Sequence, residues 1–130
     1  MKQAWLDRIR VMNKYGTNKV LIHISGKQFG HFAILSHEGR KSGRIYRIPI
    51  IAEPIPGGFV IALTYGKQVD WYKNVMAKGG CEIRWKNTDY QLINPEFITE
   101  EAGVMAFPAI LRSALMKMGI QYYLKLEIQP

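Results

Sequence analysis

Most apolar residues of this chain fall in short runs that are continuous or alternate with polar residues, a pattern typical of β-strands joined by tight turns. The run FVIALTY is apolar enough to predict a strand buried on both faces. The run QYYLKLEI alternates, which predicts that its even-numbered residues from Tyr122 onwards are buried and that Tyr123 lies on the opposite, polar face. The other predicted strands are HFAILSHE, IYRIPIIAE, CEIRWK and DYQLIN.

Helical periodicity marks the N-terminus and three later segments. At about residues 2–15, Trp5, Ile9 and Met12 share one face and basic residues occupy the other. This pattern favours an amphipathic helix packed on the core, and it leaves open a lid or a helix in peripheral contact with a membrane. The later helices are predicted to begin at Asp70, as the cap of WYKNVMAK, at Thr99, as the cap of a second helix, and at Pro108, which opens a third that Gly119 ends.

These elements predict an α+β fold that is mainly β. Strands joined by short turns, with a few interposed helices, indicate a small barrel of about six antiparallel strands with peripheral helices. A length of 130 residues suits one domain over residues 1–130. The number of copies in the native assembly stays open, and a homodimer is one outcome.

The charge balance points to an anionic partner. Lys and Arg number 18 against 10 Asp and Glu, for a net charge of +8. That partner is a nucleic acid, a membrane surface, or a phosphorylated or carboxylated small molecule. The single cysteine, Cys81, provides no disulfide framework, and the charged N-terminus lacks the apolar centre of a signal peptide. We therefore expect a cytoplasmic protein.

Familiar catalytic motifs are absent from the sequence. GRKSG joins two predicted strands rather than a strand and a helix, so it is not a Walker loop. There is no G-x-S-x-G motif, and the histidines and Cys81 show no metal-ligand spacing. We expect neither a hydrolase nor a metal site.

The turn GRKSGR, residues 39–44, carries the most unusual charge pattern. Its three cations and Arg47 lie close together with no acid between them, and Ser42 adds a hydroxyl. Its two glycines let backbone N–H groups approach an oxyanion closely. The turn is either a solvated basic loop or a cradle for a phosphate.

A second stretch, LTYGKQVDWYKN, places Tyr65, Gly66, Trp71 and Tyr72 around a predicted helix N-terminus. Helix N-termini favour anions, and aromatic side chains favour a flat ring. The alternative is that Trp71 and Tyr72 are core residues. The two stretches together fit a phosphorylated ring cofactor better than either does alone.

The segments LSHEGRKSGRIYRIPI and GGFVIALTYGKQVDWYKNVMAKGGCEI resemble the deazaflavin-dependent nitroreductase family, whose members are small split β-barrels. The resemblance covers roughly Phe32 to Leu92. It implies a site for reduced coenzyme F420, with flavin mononucleotide (FMN) as the alternative cofactor. The residues that it assigns to cofactor binding are Arg40, Lys41, Ser42 and Gly43 at the phosphate, Pro49 at the ring, Thr64, Tyr65 and Gly66 in the loop, and Trp71 and Asn74 on the helix. Arg47 joins this set because of its positive charge beside the basic turn.

Two positions depart from the family pattern. Ile48 stands where many relatives have threonine, and Tyr46 stands where arginine is frequent. The loop after Gly66 is also shorter than in the nitroimidazole-reducing members.

The resemblance implies an oxidoreductase that passes a hydride from the reduced deazaflavin to a flat, apolar acceptor such as a quinone or a nitroaromatic. Tyr65 is the candidate proton donor, with Tyr122 and Tyr123 as alternatives. The competing hypotheses are an FMN-dependent oxidoreductase of the same fold and a non-catalytic basic module that binds a cofactor or nucleic acid. A nucleic-acid reader is expected to expose aromatics beside its cations. Here the aromatics lie within apolar patterns, so we expect a small-molecule partner and no nucleic acid.

Overall fold

A computed structural model describes residues 32–130 of the chain. The helix predicted at about residues 2–15 lies outside the described residues. The strands are β1 (Phe32–Glu38), β2 (Ile45–Ile55), β3 (Gly58–Ala62), β4 (Gly80–Trp85), β5 (Thr88–Ile98) and β6 (Tyr123–Ile128). The helices are α1 (Asp70–Lys78), α2 (Glu100–Met105) and α3 (Ala109–Lys117).

The six strands form a closed barrel in the order β1-β2-β3-β6-β5-β4, with β4 paired back to β1. Every neighbouring pair is antiparallel. The predicted small barrel of about six antiparallel strands with peripheral helices is therefore confirmed. Closure leaves no unpaired sheet edge, which is how small β proteins avoid edge-to-edge association.

Strand β3 is buried on both faces, as its sequence predicts. Phe59 and Ile61 point into the barrel and join the main core, whereas Val60 and Ala62 face outwards. The outward residues are covered because α2 and α3 pack over this part of the barrel, where Val104, Phe107 and Leu115 complete a second core. A strand covered on both faces needs an unbroken apolar run, and FVIA supplies it.

Strand β6 departs from its predicted burial pattern. Leu124 and Leu126 are buried inside the barrel as expected, but Tyr123 is also fully buried, and Tyr122 is 38% exposed. Tyr123 belongs to the second core beneath α2, and its hydroxyl donates to the Ile120 carbonyl at 3.2 Å. Alternation within one strand could not show that two helices cover its outer face.

The caps of two helices differ in how well the sequence predicted them. Thr99 caps α2 as predicted, since its hydroxyl accepts from the Ala102 N–H at 3.1 Å. The prediction for α1 is wrong: Val69 occupies the cap position, and Asp70 is the first helical residue. The Asp70 carboxylate contacts Arg40 instead, at 3.4 Å. Within residues 32–130, none of the helices combines the length and apolar character required to cross a bilayer.

Candidate functional site

A cavity of about 560 Å³ lies between the turn of residues 39–44 and helix α1. This volume is in the range of small-molecule sites, about 300–1,000 Å³. Both sequence stretches singled out above contribute to its walls. The lining residues are His37, Gly39, Arg40, Lys41, Ser42, Tyr46, Ile48, Asp70, Trp71 and Asn74.

The turn between β1 and β2 is closed by its own backbone. The Gly39 N–H donates to the Arg44 carbonyl at 2.7 Å, and the Gly43 N–H donates to the Gly39 carbonyl at 2.9 Å. Gly43 has a φ of +72°, which favours glycine. The Ser42 hydroxyl accepts from the Arg44 N–H at 3.2 Å, so its own proton stays available to a ligand. Lys41 and Ser42 are thereby held at the exposed tip of the turn.

Arg40 fastens this turn to α1. Its backbone N–H and its Nη1 both donate to Asn74 Oδ1, at 3.1 and 2.7 Å. Its Nη2 lies 3.4 Å from the carboxylate of Asp70, which is largely exposed. The family resemblance implied cofactor contacts for Arg40 and Asn74, and the structure brings these two residues together as partners of each other.

Lys41 is the cation of the cavity that remains available to a ligand. It makes no hydrogen bond or ion pair with another residue of the described part of the chain. The Asp70 carboxylate is paired with Arg40, so it does not neutralise Lys41 directly. Among the described residues, the Lys41 ammonium at the mouth of the cavity is therefore not neutralised, and it lies beside the Ser42 hydroxyl, which makes a suitable pair for an anion.

The inner wall of the cavity is aromatic and apolar. Tyr46 and Ile48 contribute from β2, and Trp71 contributes from α1. Ile48 and Trp71 also pack against the barrel core, so Trp71 is both a core residue and a wall of the cavity. Tyr46 and Ile48 are the two departures from the family pattern, and both face the place where a ligand would lie.

His37 lies in this wall and was not predicted as a site residue. It is 5% exposed, its ring stacks on Tyr46 with 5.3 Å between centroids, and its Nδ1 is 3.0 Å from Asn74 Nδ2. Burial lowers the pKa of His37 from 6.5 to about 4, and the nearby Asp70 carboxylate opposes this shift. Its imidazole is therefore neutral at pH 7. A single histidine near the end of a strand belongs to no sequence motif. The position of His37 in the cavity wall follows from the register of β1 against β2, which pairs it with Tyr46.

Arg47 and Pro49 do not line the cavity. They alternate along β2 with Ile48 and Ile50, which face the barrel core, so they lie on its outer face. Burial and the proximity of Arg84 lower the pKa of Arg47. The structure thus places both residues on the opposite side of β2 from Tyr46.

The loop of Thr64, Tyr65 and Gly66 also lies outside the cavity lining. Tyr65 is 85% exposed, and Gly66, at a φ of +81°, donates its N–H to the Leu63 carbonyl at 3.1 Å. The neighbouring Lys67 ammonium sits over the rings of Tyr122 and Phe97, 4.8 and 5.5 Å from their centroids. None of the three candidate proton donors, Tyr65, Tyr122 and Tyr123, contributes to the cavity wall.

Among residues 32–130, no group of three or more histidine, cysteine or acidic side chains is arranged to hold a metal ion. Cys81 packs against the barrel core, and burial raises the pKa of its thiol to about 12. The thiol is therefore protonated at neutral pH and is a poor nucleophile.

Similarity to known proteins lies in the fold. No protein-family model and no curated protein matches the chain. A solved structure described as a domain-swapped dimer matches with a TM-score of 0.55 at 15% identity, covering 75% of this chain and 80% of that one. A structure described as an F420-H2 dependent reductase has a TM-score of 0.46 at 14% identity, covering 75% of this chain and 94% of that one. The first match agrees with the barrel architecture that the deazaflavin-dependent nitroreductase resemblance implies.

Proposed function

We propose that this chain is a reductase that binds coenzyme F420 in the cavity between the turn of residues 39–44 and α1, and that its acceptor is a flat, apolar molecule such as a quinone or a nitroaromatic. The observation that carries the proposal is the convergence of two sequence stretches on one cavity. The basic turn supplies Lys41 and Ser42, and the stretch DWYKN supplies Trp71. The two stretches meet where Arg40 contacts Asp70, which lies 30 positions later in the chain.

The residues of the cavity fit such a group. An anionic phosphate or carboxylate finds an unpaired ammonium and a hydroxyl at the mouth, where Lys41 and Ser42 are exposed. A flat ring finds aromatic and aliphatic walls at Tyr46, Ile48 and Trp71. When it is bound, a reduced deazaflavin supplies the hydride. The chain itself has to bind and orient its ligands and keep water away from the reacting carbon.

Two titratable residues among the described lining of the cavity, His37 and Asp70, agree with this division of work. The histidine in the wall is neutral at pH 7, and Asp70 is engaged by Arg40. A hydride transfer to a quinone can take its proton from solvent. We therefore do not assign Tyr65 a place in the chemistry, because it is exposed and outside the wall.

The test is a side-by-side titration of the protein with F420 and FMN, followed by fluorescence, with duplex DNA as a third arm. Lys41→Ala is compared with Lys117→Ala, which removes the same charge from the last turn of α3. We expect F420 to bind and Lys41→Ala to weaken binding by about tenfold or more, since hydrogen bonds to charged groups contribute about 1.5–3 kcal/mol. Lys117→Ala is expected to leave affinity unchanged.

Each contrary outcome identifies a different error. Binding of FMN without F420 would replace the cofactor and keep the site. Equal weakening by Lys41→Ala and Lys117→Ala would show a general effect of net charge and reject the cavity. Binding of DNA at physiological salt with no binding of either cofactor would favour the nucleic-acid module.

A further inference from the structure

The side-chain amide of Asn74 has one orientation in this structure. Its Oδ1 faces two groups of Arg40, the backbone N–H at 3.1 Å and Nη1 at 2.7 Å. Both groups can only donate, because neither an amide N–H nor a guanidinium has an acceptor. The amide atom that faces Arg40 must therefore be the oxygen, and the amide nitrogen must face His37.

This orientation determines which nitrogen of His37 carries the proton. Asn74 Nδ2 can only donate, and it lies 3.0 Å from His37 Nδ1. Nδ1 must accept that hydrogen bond, so it is unprotonated. A neutral imidazole with an unprotonated Nδ1 carries its single proton on Nε2. The series Arg40, Asn74, His37 thus fixes the tautomer of a buried ring.

The Nε2–H is the polar atom of His37 that remains for a ligand. Nδ1 is engaged by Asn74, and Nε2 makes no hydrogen bond to another described residue. Among the described residues, Trp85 Nε1 is the fully buried side-chain nitrogen or oxygen that lacks a hydrogen-bond partner. Because His37 Nε2 also lacks a partner but is not in that class, it is not fully buried. Because His37 lines the cavity, its Nε2 is accessible from there.

We propose that His37 is a specificity-determining residue of the cavity, whose Nε2–H donates a hydrogen bond to a carbonyl or anionic oxygen on the edge of the bound ring. Arg40 and Asn74 are positioning residues that hold the donor tautomer. The inference rests on the proposed function in one respect, namely that a ring molecule occupies the cavity. A neutral donor selects ligands differently from the Lys41 ammonium. The His37 N–H requires an acceptor atom at one position of the ligand, and it does not select for the net charge of the ligand.

The first test uses the protein without ligand. Long-range ¹H–¹⁵N correlation spectra distinguish the two neutral tautomers, and we expect the proton on Nε2 in the wild type. Asn74→Asp replaces the donating amide with an acceptor-only carboxylate, so we expect it to move the neutral tautomer's proton to Nδ1. A wild-type proton on Nδ1 would overturn the proposal before any cofactor is added.

The second test measures binding of F420 and FMN to two variants of the same position. His37→Phe keeps a ring beside Tyr46 but has no N–H, and His37→Gln keeps an N–H donor. We expect His37→Phe to weaken binding by about twofold to tenfold, as a neutral hydrogen bond does, and His37→Gln to stay closer to the wild type. The loss in His37→Phe should be the same at low and high salt, unlike the loss in Lys41→Ala.

The outcomes separate this inference from the proposed function. Unchanged affinity in His37→Phe, with the wild type binding normally, would overturn the hydrogen bond and leave the cofactor site standing. If the wild type binds neither F420 nor FMN, the proposed function fails and the ligand contact of His37 fails with it. The proton position in the ligand-free protein is then decided by the spectra alone.

Discussion

Asn74 Oδ1 accepts two hydrogen bonds from one residue, Arg40, which lies 34 positions earlier in the chain. This double contact joins the turn between β1 and β2 to the middle of α1. One arginine of the basic turn therefore has a structural role, and the lysine beside it is left for a ligand. The distinction between Arg40 and Lys41 leads to the first prediction.

Arg40→Ala should loosen the turn and destabilise the protein, whereas Lys41→Ala should do neither. The first substitution removes the Nη1 hydrogen bond to Asn74, which is buried, at a cost of about 1.5–3 kcal/mol for a hydrogen bond to a charged group; the backbone N–H of residue 40 still donates to Asn74. The second removes an exposed side chain with no partner among the described residues. The measurement is chemical denaturation of both variants, with hydrogen exchange at Gly39 and Gly43. Equal stability of the two variants would show that Arg40 does not hold the turn.

The free energy of unfolding should fall as the pH falls from 6.5 towards 4, because His37 resists protonation in the folded state. Above pH 6.5 the imidazole is neutral in both states, so the shift has no effect there. Below pH 6.5 the unfolded chain takes up a proton that the folded state does not accept until about pH 4, which favours unfolding. Among residues 32–130, the groups that face the ring are Asn74, Tyr46 and the Asp70 carboxylate, and of these Asp70 opposes the shift.

At about 1.36 kcal/mol per pKa unit, the lowering of the His37 pKa from 6.5 to about 4 corresponds to a loss on the order of 3 kcal/mol once protonation is complete. Denaturation at pH 7 and pH 4.5 checks this, with His37→Gln as the control that cannot titrate. The wild type should lose more stability than the control over this interval. The same loss in both proteins would assign the effect to other groups.

Gly103→Ala should destabilise the protein although it lies in a helix. Helix propensity alone favours alanine by about 0.5–1 kcal/mol. A Cβ at Gly103, however, would overlap the Tyr123 ring, which is fully buried in the second core. We expect the steric overlap to outweigh the gain in helix propensity, with a net loss of about 1–3 kcal/mol in the free energy of unfolding.

The control for Gly103→Ala is the same change in a Tyr123→Leu background, where the ring is absent. Thermal melts of the four proteins give the coupling between the two positions. In the double mutant the alanine should become neutral or stabilising. A destabilisation of equal size in both backgrounds would show that Tyr123 is not the obstacle.

Lys67→Met should loosen the loop after β3 without changing cofactor affinity. The substitution keeps a side chain of similar length and removes the positive charge that lies over the rings of Tyr122 and Phe97. An exposed cation–π contact contributes about 0.5–1 kcal/mol, so hydrogen exchange at Gly66 should accelerate while Lys67→Arg preserves protection. A loss of F420 affinity in Lys67→Met would place this loop at the ring, as the family resemblance implies for Thr64 to Gly66.

The sequence predicted the elements of the barrel well because strands and turns depend on local pattern. The burial of β3 on both faces follows from its unbroken apolar run, and the Thr99 cap follows from a hydroxyl before a helix. Tyr123 was mispredicted because its burial depends on α2, which a period-two pattern does not show. Asp70 was mispredicted as a cap because its carboxylate pairs with a residue from a distant turn.

The candidate site was predictable in part, because its segments have an unusual local sequence whereas the contacts between them depend on tertiary structure. The basic turn and DWYKN were recognisable as unusual segments, and the structure brings them to one cavity. The sequence could not show that Arg40 is engaged by Asn74, since that contact requires tertiary structure. Nor could it identify His37, whose position opposite Tyr46 depends on the register of β1 against β2.

An NMR titration of ¹⁵N-labelled protein with F420 locates the cofactor site directly. If the cavity is the cofactor site, the largest saturable shift changes should fall on the amides of Lys41, Ser42 and Gly43 and on the Trp71 indole N–H. The amides of Tyr65, Gly66 and Arg47 should change little. Saturable changes centred on Tyr65 and Gly66, with the turn of residues 39–44 unaffected, would show that F420 binds at the loop after β3 and not in the cavity.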